Sequence, residues 1–246
     1  MQVAVLSDLH LGVKDKLDQF YRVEGAEQQL YSLLDYLERT VDKIVLLGDI
    51  FETLRAKTFN TEKELVRILK AYPEFASRIL DNPKYELIQG NHDLDTVKLL
   101  GAKKDLILED HGERIYLMHG HQLDPMVSDF WTNHFEHFGV WAGGWFARLG
   151  FDWTSNMNKV SKKKALEDSW PIGDFEKMSA MVAKDRGCGI VVTGHSHHPM
   201  KKELCGALYL NSGARVAGRH DLVFLDTVHK DYTLYKTSLL LSQNHF

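Results

Sequence analysis

The chain has 246 residues, 44% of them hydrophobic and 26% charged, which suits one globular domain, with or without an insertion, that buries a sizeable core. Its formal net charge of −4 argues against a general nucleic-acid binder, which needs a basic face. Two cysteines, Cys188 and Cys205, are too few for a disulfide framework and read as reduced thiols in a reducing compartment. The first residues lead straight into a motif without a basic and apolar leader, and no apolar stretch is long enough to span a bilayer. The expected location is therefore the cytoplasm, with peripheral contact at the inner membrane left open.

Taken in chain order, residues 2–6 read as a first buried strand and residues 24–39 as a helix, with Leu30, Leu33, Leu34 and Leu37 at helical spacing. A second strand covers 43–47. A helix over 61–71 follows, with Thr61 as expected N-cap and Glu64 three residues on. Pro73 opens another helical turn that Asn82-Pro83 closes, and 85–88 form a third strand. Short strands follow near 105–108 and 114–118. A helix near 174–186 precedes a strand at 189–193, and the tail reads as strands at 207–211, 221–226 and 231–236.

All five tryptophans (Trp131, Trp141, Trp145, Trp153, Trp170) and five of the twelve phenylalanines fall between positions 130 and 170. Val127, Phe130, Trp131, Phe135, Phe138, Trp141, Trp145 and Leu149 step mostly by three and four, which makes one helical face. The segment 124–170 therefore reads as a helical insertion within a single domain spanning 1–246, set near the mouth of the site. It is either an amphipathic helix packed on the sheet or an apolar cap that seats a greasy substrate group or touches lipid through 127–153.

Five apolar runs each end on a side chain that favours metals: Val3–Leu6 before Asp8, Ile44–Leu47 before Asp49, Leu87-Ile88 before Asn91, Ile115–Met118 before His119, and Ile190–Val192 before His195. In open α/β sheets, sites form beyond the carboxyl ends of strands, so these side chains are expected to converge. Asp8-Leu9-His10 puts two ligands on one loop, Gly90-Asn91-His92-Asp93 supplies an amide oxygen and an imidazole, and His195-Ser196-His197 places two imidazoles on one side of an extended loop. Oxygen and imidazole donors suit divalent first-row ions. Two such ions ~3.5–4 Å apart clamp a phosphate, and a bound water falls from a pKa of 15.7 to about 7, so hydroxide becomes available to attack at neutral pH.

In order and spacing these motifs resemble the calcineurin-like metallophosphoesterases. The resemblance implies an αββα sandwich, two mixed β-sheets flanked by helices. It also implies a dinuclear centre in which Asp8, His10, Asp49 and His197 hold one ion and Asp49, Asn91, His119 and His195 hold the other, with Asp49 as bridge. His92 would contact the phosphate or protonate the leaving group. Mn is the first expectation for the ions, with Fe or Zn as alternatives. Among neighbouring side chains, His121 is either a support for the ligands or a solvated loop residue. Asp93 is expected to orient His92 or His119, and Asp124 to cap the insertion helix. Arg55, Lys57, Arg215 and Arg219 lie near the motifs, and Lys163 and its two lysine neighbours form a basic run. Arg55, Trp141, Lys163 and Arg215 are the candidate substrate contacts.

Within that family the chain is most similar to the UDP-2,3-diacylglucosamine pyrophosphatases, through Gly48-Asp49-Ile50-Phe51-Glu52, Met118-His119-Gly120 and the position of the insertion. It departs from them at His92, where they carry Arg, and at His121, where they tend to carry Asp. The implied reaction is hydrolysis of a phosphodiester or pyrophosphate bond in a small or lipid-linked substrate. The alternatives are a general phosphodiesterase or nuclease of the same family, a Ser/Thr phosphatase, and a scaffold that has lost its metals; every ligand position is filled, which counts against the scaffold.

Overall fold

A computed structural model describes residues 1–55, 60–124 and 173–236. Five strands, β1 (Gln2–Leu6), β2 (Lys43–Leu47), β3 (Tyr85–Ile88), β9 (Leu222–Asp226) and β10 (Asp231–Tyr235), form one sheet in the order β10-β9-β1-β2-β3. The others, β4 (Asp105–Asp110), β5 (Glu113–Met118), β6 (Ile190–Thr193), β7 (Met200–Leu204) and β8 (Ala207–Asn211), form a second in the order β4-β5-β6-β8-β7. Both sheets are mixed. β1, β2 and β3 run parallel, as do β5, β6 and β8, with antiparallel strands toward the edges.

Side-chain alternation explains why the central strands are apolar throughout. Val3, Val5, Val45 and Leu47 on the first sheet meet Ile115, Leu117, Ile190 and Val192 of the second in one core. Their neighbours Ala4, Leu6, Ile44 and Leu46 face the opposite way, onto Leu30, Leu34 and Leu37 of α1 (Ala26–Thr40), Leu65 and Ile68 of α2 (Thr61–Ala71), and Phe75 of α3 (Pro73–Asp81). On the far side, Tyr116, Met118 and Val191 pack with Ala183 and Cys188, the former on α5 (Asp174–Asp185). The result is the expected α/β sandwich, layered α, β, β, α. Strands covered on both faces need apolar residues at every position rather than at alternate ones.

Several local expectations change. Asn60, not Thr61, caps α2: its side chain accepts from Lys63 N at 2.8 Å, while the buried Glu64 pairs with Arg67 at 2.6 Å. α1 begins at Ala26 because Gly25 takes a left-handed φ of 73°. β7, which carries exposed Lys201, Lys202 and Glu203, and the five-residue α4 (Thr96–Leu100) went unforeseen. β7 lies at a sheet edge, where lysines discourage further pairing. The 124–170 insertion, including Trp141 and Lys163, lies outside the described residues apart from Asp124, as does Lys57.

Candidate metal centre

The site is built where the strands stop. Beyond β1 and β2 the parallel pairing continues into the loops: Asp8 N bonds Gly48 O at 3.1 Å, His10 N bonds Asp49 O at 3.0 Å, and Leu11 N bonds Ile50 O at 2.9 Å. The Asp8 and Asp49 loops are therefore tied to each other through their backbones. Five of the ten non-glycine residues with positive φ among the described residues are expected ligands: Asp8 at 55°, His10 at 50°, Asp49 at 52°, His195 at 63° and His197 at 57°. Such backbone costs on the order of 1–3 kcal/mol per residue and persists where surrounding contacts over-determine it.

The glycines make the close approaches possible. A Cβ on Gly90 would lie 2.0 Å from Asp49 Oδ1, and one on Gly48, itself at φ 80°, 2.5 Å from His119 Cγ. Glycines directly after strands suit tight turns. The structure adds that the strand ends pack so closely that no side chain fits between them.

Asp49 is central. Its Oδ2 lies 3.3 Å from His119 Nε2 and 3.8 Å from His10 Nε2, while its Oδ1 accepts from His92 N at 2.9 Å. Burial would raise its carboxyl, but His119 and His92 outweigh burial and hold it well below the usual carboxylate range. Asp8 Oδ1 lies 3.0 Å from His197 Nε2, which in turn is 3.4 Å from His10 Nε2. Two groups of potential ligand atoms within 4.8 Å of one another follow, Asp8–His10–His197 and Asp49–His119–His195, and a third is His10–Asp49–His92. The first two are made of residues named above as candidate ligands, and the third brings His92 against the same cluster. Asn91 sits between Gly90 and His92, both of which touch Asp49.

The donor atoms fit a divalent ion. Asp8 Oδ1, Asn91 Oδ1 and His119 Nε2 are buried and make no hydrogen bond among the described residues, the approaches of His197 to Asp8 and of Asp49 to His119 lacking hydrogen-bond geometry. A buried polar atom left unsatisfied costs about 1–3 kcal/mol, more if charged, so three such atoms on the loops of this cluster call for cations. His119 Nδ1 donates to Leu47 O at 2.8 Å, so with an ion present the Nε2 lone pair would be free to bind it. Without an ion, burial lowers His119 but Asp49 raises it further, to about 9.

Glu52 supplies a contact the sequence did not disclose. Its buried carboxylate lies 3.3 Å from His10 Nδ1, 3.0 Å from His92 Nδ1 and 3.5 Å from Arg55 Nε. It thus fixes which nitrogen of two site imidazoles faces the cleft, as carboxylates behind metal-bound histidines do. Burial lowers the His92 imidazole, yet Glu52 and Asp49 outweigh it and hold the ring up at about 10. Arg55 therefore stands beside Glu52. The only signal in the sequence was an acid three residues after a ligand aspartate.

Among the other neighbours, one expectation changes. Asp93 does not bond either histidine; it accepts from Gly90 N at 2.6 Å, Ile50 N at 2.8 Å and Phe51 N at 3.2 Å, tying the Asn91 loop to the Asp49 loop. Burial together with Asp49 raises its carboxyl to about 6. His121 is buried rather than solvated, its ring 5.5 Å from that of His119, and burial and that neighbour push it down to about 3. Asp124 reaches His195 Nε2 at 2.9 Å. Arg215 is 7% exposed; its backbone N bonds Asp8 O at 3.1 Å, its Nη2 is 3.4 Å from His220 Nδ1, and its Nε has no partner among the described residues. Arg219 is bound to Asp221.

The calcineurin-like phosphoesterase family model matches residues 1–199. The chain belongs to that family. Solved structures similar to it include Vps29 of Entamoeba histolytica complexed with zinc, at 16% identity and TM-score 0.47 over 96% of this chain and 91% of that one. A novel archaeal phosphodiesterase matches at 15% identity and TM-score 0.46 over 96% and 99%, and the phosphoesterase YfcE of E. coli at 14% and 0.44 over 96% and 100%. Among curated proteins none matches the chain. No helix among the described residues is long and apolar enough to cross a membrane.

Proposed function

We propose that this protein is a two-metal phosphoesterase that hydrolyses a phosphodiester or pyrophosphate bond, with Mn as the first expectation for the ions. The observation that carries the proposal is the pair of ligand groups, Asp8–His10–His197 and Asp49–His119–His195, together with the buried Asp8 Oδ1, Asn91 Oδ1 and His119 Nε2 that make no hydrogen bond among the described residues. Asp8, His10, Asp49 and His197 hold one ion, and Asp49, Asn91, His119 and His195 the other. The ions supply Lewis acidity toward the phosphoryl oxygens and a water acidic enough to attack near neutral pH. The chain's own groups do the rest. Glu52 holds the Nδ1 protons of His10 and His92, Leu47 O fixes the tautomer of His119, and the His92 cation contacts the phosphate and gives its Nε2 proton to the leaving oxygen.

Arg215, a buried guanidinium beside the Asp8 loop, serves an anionic group of the substrate, the kind of partner a desolvated arginine requires. A UDP-diacylglucosamine-like lipid meets that requirement through its second phosphoryl group, and the Gly48–Glu52 stretch agrees with it. In this reading Trp141 and Lys163 contact the lipid part, and the enzyme works in the cytoplasm, touching the inner membrane through 127–153. The test is a panel of nucleotide-sugar lipids, cyclic nucleotides, simple diesters and monoesters assayed with Mn. Cleavage of diesters or pyrophosphates that is lost together with both ions in Asp49→Ala is the expected result. No turnover of any panel member at saturating Mn would contradict it.

A further inference from the structure

The loop that carries two of the imidazoles, Gly194-His195-Ser196-His197, has an underside that none of the ligands explains. Asn211 closes β8, opposite Thr193 at the end of β6, and is fully buried. Its Nδ2 lies 2.7 Å from Gly194 O, 3.1 Å from Ser196 Oγ and 3.1 Å from Thr193 Oγ1, and its Oδ1 accepts from Gly213 N at 2.9 Å. The two backbone partners fix the amide's orientation, because Gly194 O can only accept and Gly213 N can only donate. From Gly213 the turn runs to Arg215, whose N bonds Asp8 O. Beside it, Ser212 Oγ meets Ser7 Oγ at 2.7 Å, and Ser7 donates to Gly213 O at 3.2 Å. One side chain thus joins the His195–His197 loop to the turn that supports Asp8, across the 3.0 Å approach of His197 to Asp8. Both histidines have left-handed backbone, φ 63° and 57°, a conformation that needs outside support.

We infer that Asn211 is a positioning residue for the metal centre, holding the Gly194–His197 loop so that His195 and His197 present their nitrogens together with Asp8. This rests on the two-metal reading above. In Asn211→Asp the geometry of Oδ1 survives, but a carboxylate faces the Gly194 carbonyl; Asn211→Ala removes all of these contacts together with one from Nδ2 to Tyr209 Oη at 3.2 Å; Asn211→Ser leaves a hydroxyl in place of the amide. The measurement is Mn²⁺ affinity of metal-stripped protein by calorimetry, with thermal melting of the metal-free form alongside. Changes behind metal ligands typically cost 10–100-fold in affinity, and a loss of that size is expected in Asn211→Asp and Asn211→Ala, with Asn211→Ser between them and wild type. Any of the three variants that melts within a few degrees of wild type yet binds Mn²⁺ within twofold of it overturns the inference. Should Asn211→Ala and Asn211→Asp not fold, Ser196→Ala, which removes one partner of the Nδ2, decides: a severalfold loss supports it and an unchanged affinity overturns it. A wild-type protein that itself takes up no Mn²⁺ would instead overturn the two-metal reading, so the two failures are separate.

Discussion

Replacing Glu52 by Gln tests how the site orients its imidazoles. In the native protein one carboxylate faces two Nδ1 atoms, at 3.3 Å from His10 and 3.0 Å from His92. Both rings can donate to it at once because both oxygens accept. A glutamine keeps one accepting oxygen and turns an NH₂ toward the other ring. That ring must lose its Nδ1 proton or rotate: for His10 this puts a proton on Nε2 where a lone pair is needed, and for His92 it removes the charge that Glu52 sustains. At least one hydrogen bond to a charged partner disappears, worth about 1.5–3 kcal/mol, which corresponds to about 10- to 150-fold in an equilibrium constant. Glu52→Gln is therefore expected to bind Mn²⁺ 10- to 150-fold more weakly and, at saturating Mn, to turn over bis(p-nitrophenyl) phosphate at least tenfold more slowly. Global stability should change little, because a buried carboxylate gives up desolvation cost when it is neutralised. Calorimetric Mn titration, steady-state kinetics and a melt of the metal-free protein measure the three quantities. Affinity and turnover both within twofold of wild type would refute the orienting role.

Three further outcomes are expected. Gly90→Ala places a methyl 2.0 Å from Asp49 Oδ1; overpacking of about 1–3 kcal/mol should lower Tm by about 3–10 °C and weaken metal binding, and an unchanged melt with full metal content would show that the loop has room. If His92 protonates the leaving oxygen, His92→Ala should slow alkyl diesters more than p-nitrophenyl esters, whose leaving group needs no proton; equal losses on both would remove that role. Arg215→Met should cut kcat/KM for pyrophosphate-containing substrates by about 10- to 100-fold, as expected for loss of a charge-assisted contact. It should spare simple diesters and leave Tm unchanged or raised, and uniform loss on both substrate classes would assign Arg215 to the Asp8 loop rather than to substrate.

Much of this architecture was legible because its signals are local. Buried strands announce themselves as short apolar runs, and β1, β2, β3 and β8 fall where those runs placed them. The ligands follow the strands within a few residues, so the seven metal-ligand candidates could be found without knowing how the sheets assemble. What escaped is what depends on register or on a single turn. β7 has no apolar face to announce it, since its three central residues are exposed, and α4 is too short for a helical period to register. Asn60 stands one residue before the expected cap, and both it and Thr61 are residue types that can fill that position. Glu52 and Asn211 escaped for a deeper reason. Their partners lie 40 and 42 residues away for Glu52 and up to 18 for Asn211, and only the pairing of β2 with β1 and β3 and of β6 with β8 brings them together. The strained backbone at Asp8, Asp49 and His195 is likewise invisible in composition; it belongs to the loops that the paired strands force to meet.

The most direct measurement is anomalous diffraction from crystals grown with manganese. Two peaks about 3.5–4 Å apart, with an oxygen of Asp49 reaching each and Asp8, Asn91 and His119 filling the remaining positions, are the predicted result. A single peak, or none, with those three side chains hydrogen-bonded to protein instead, would contradict the two-metal account.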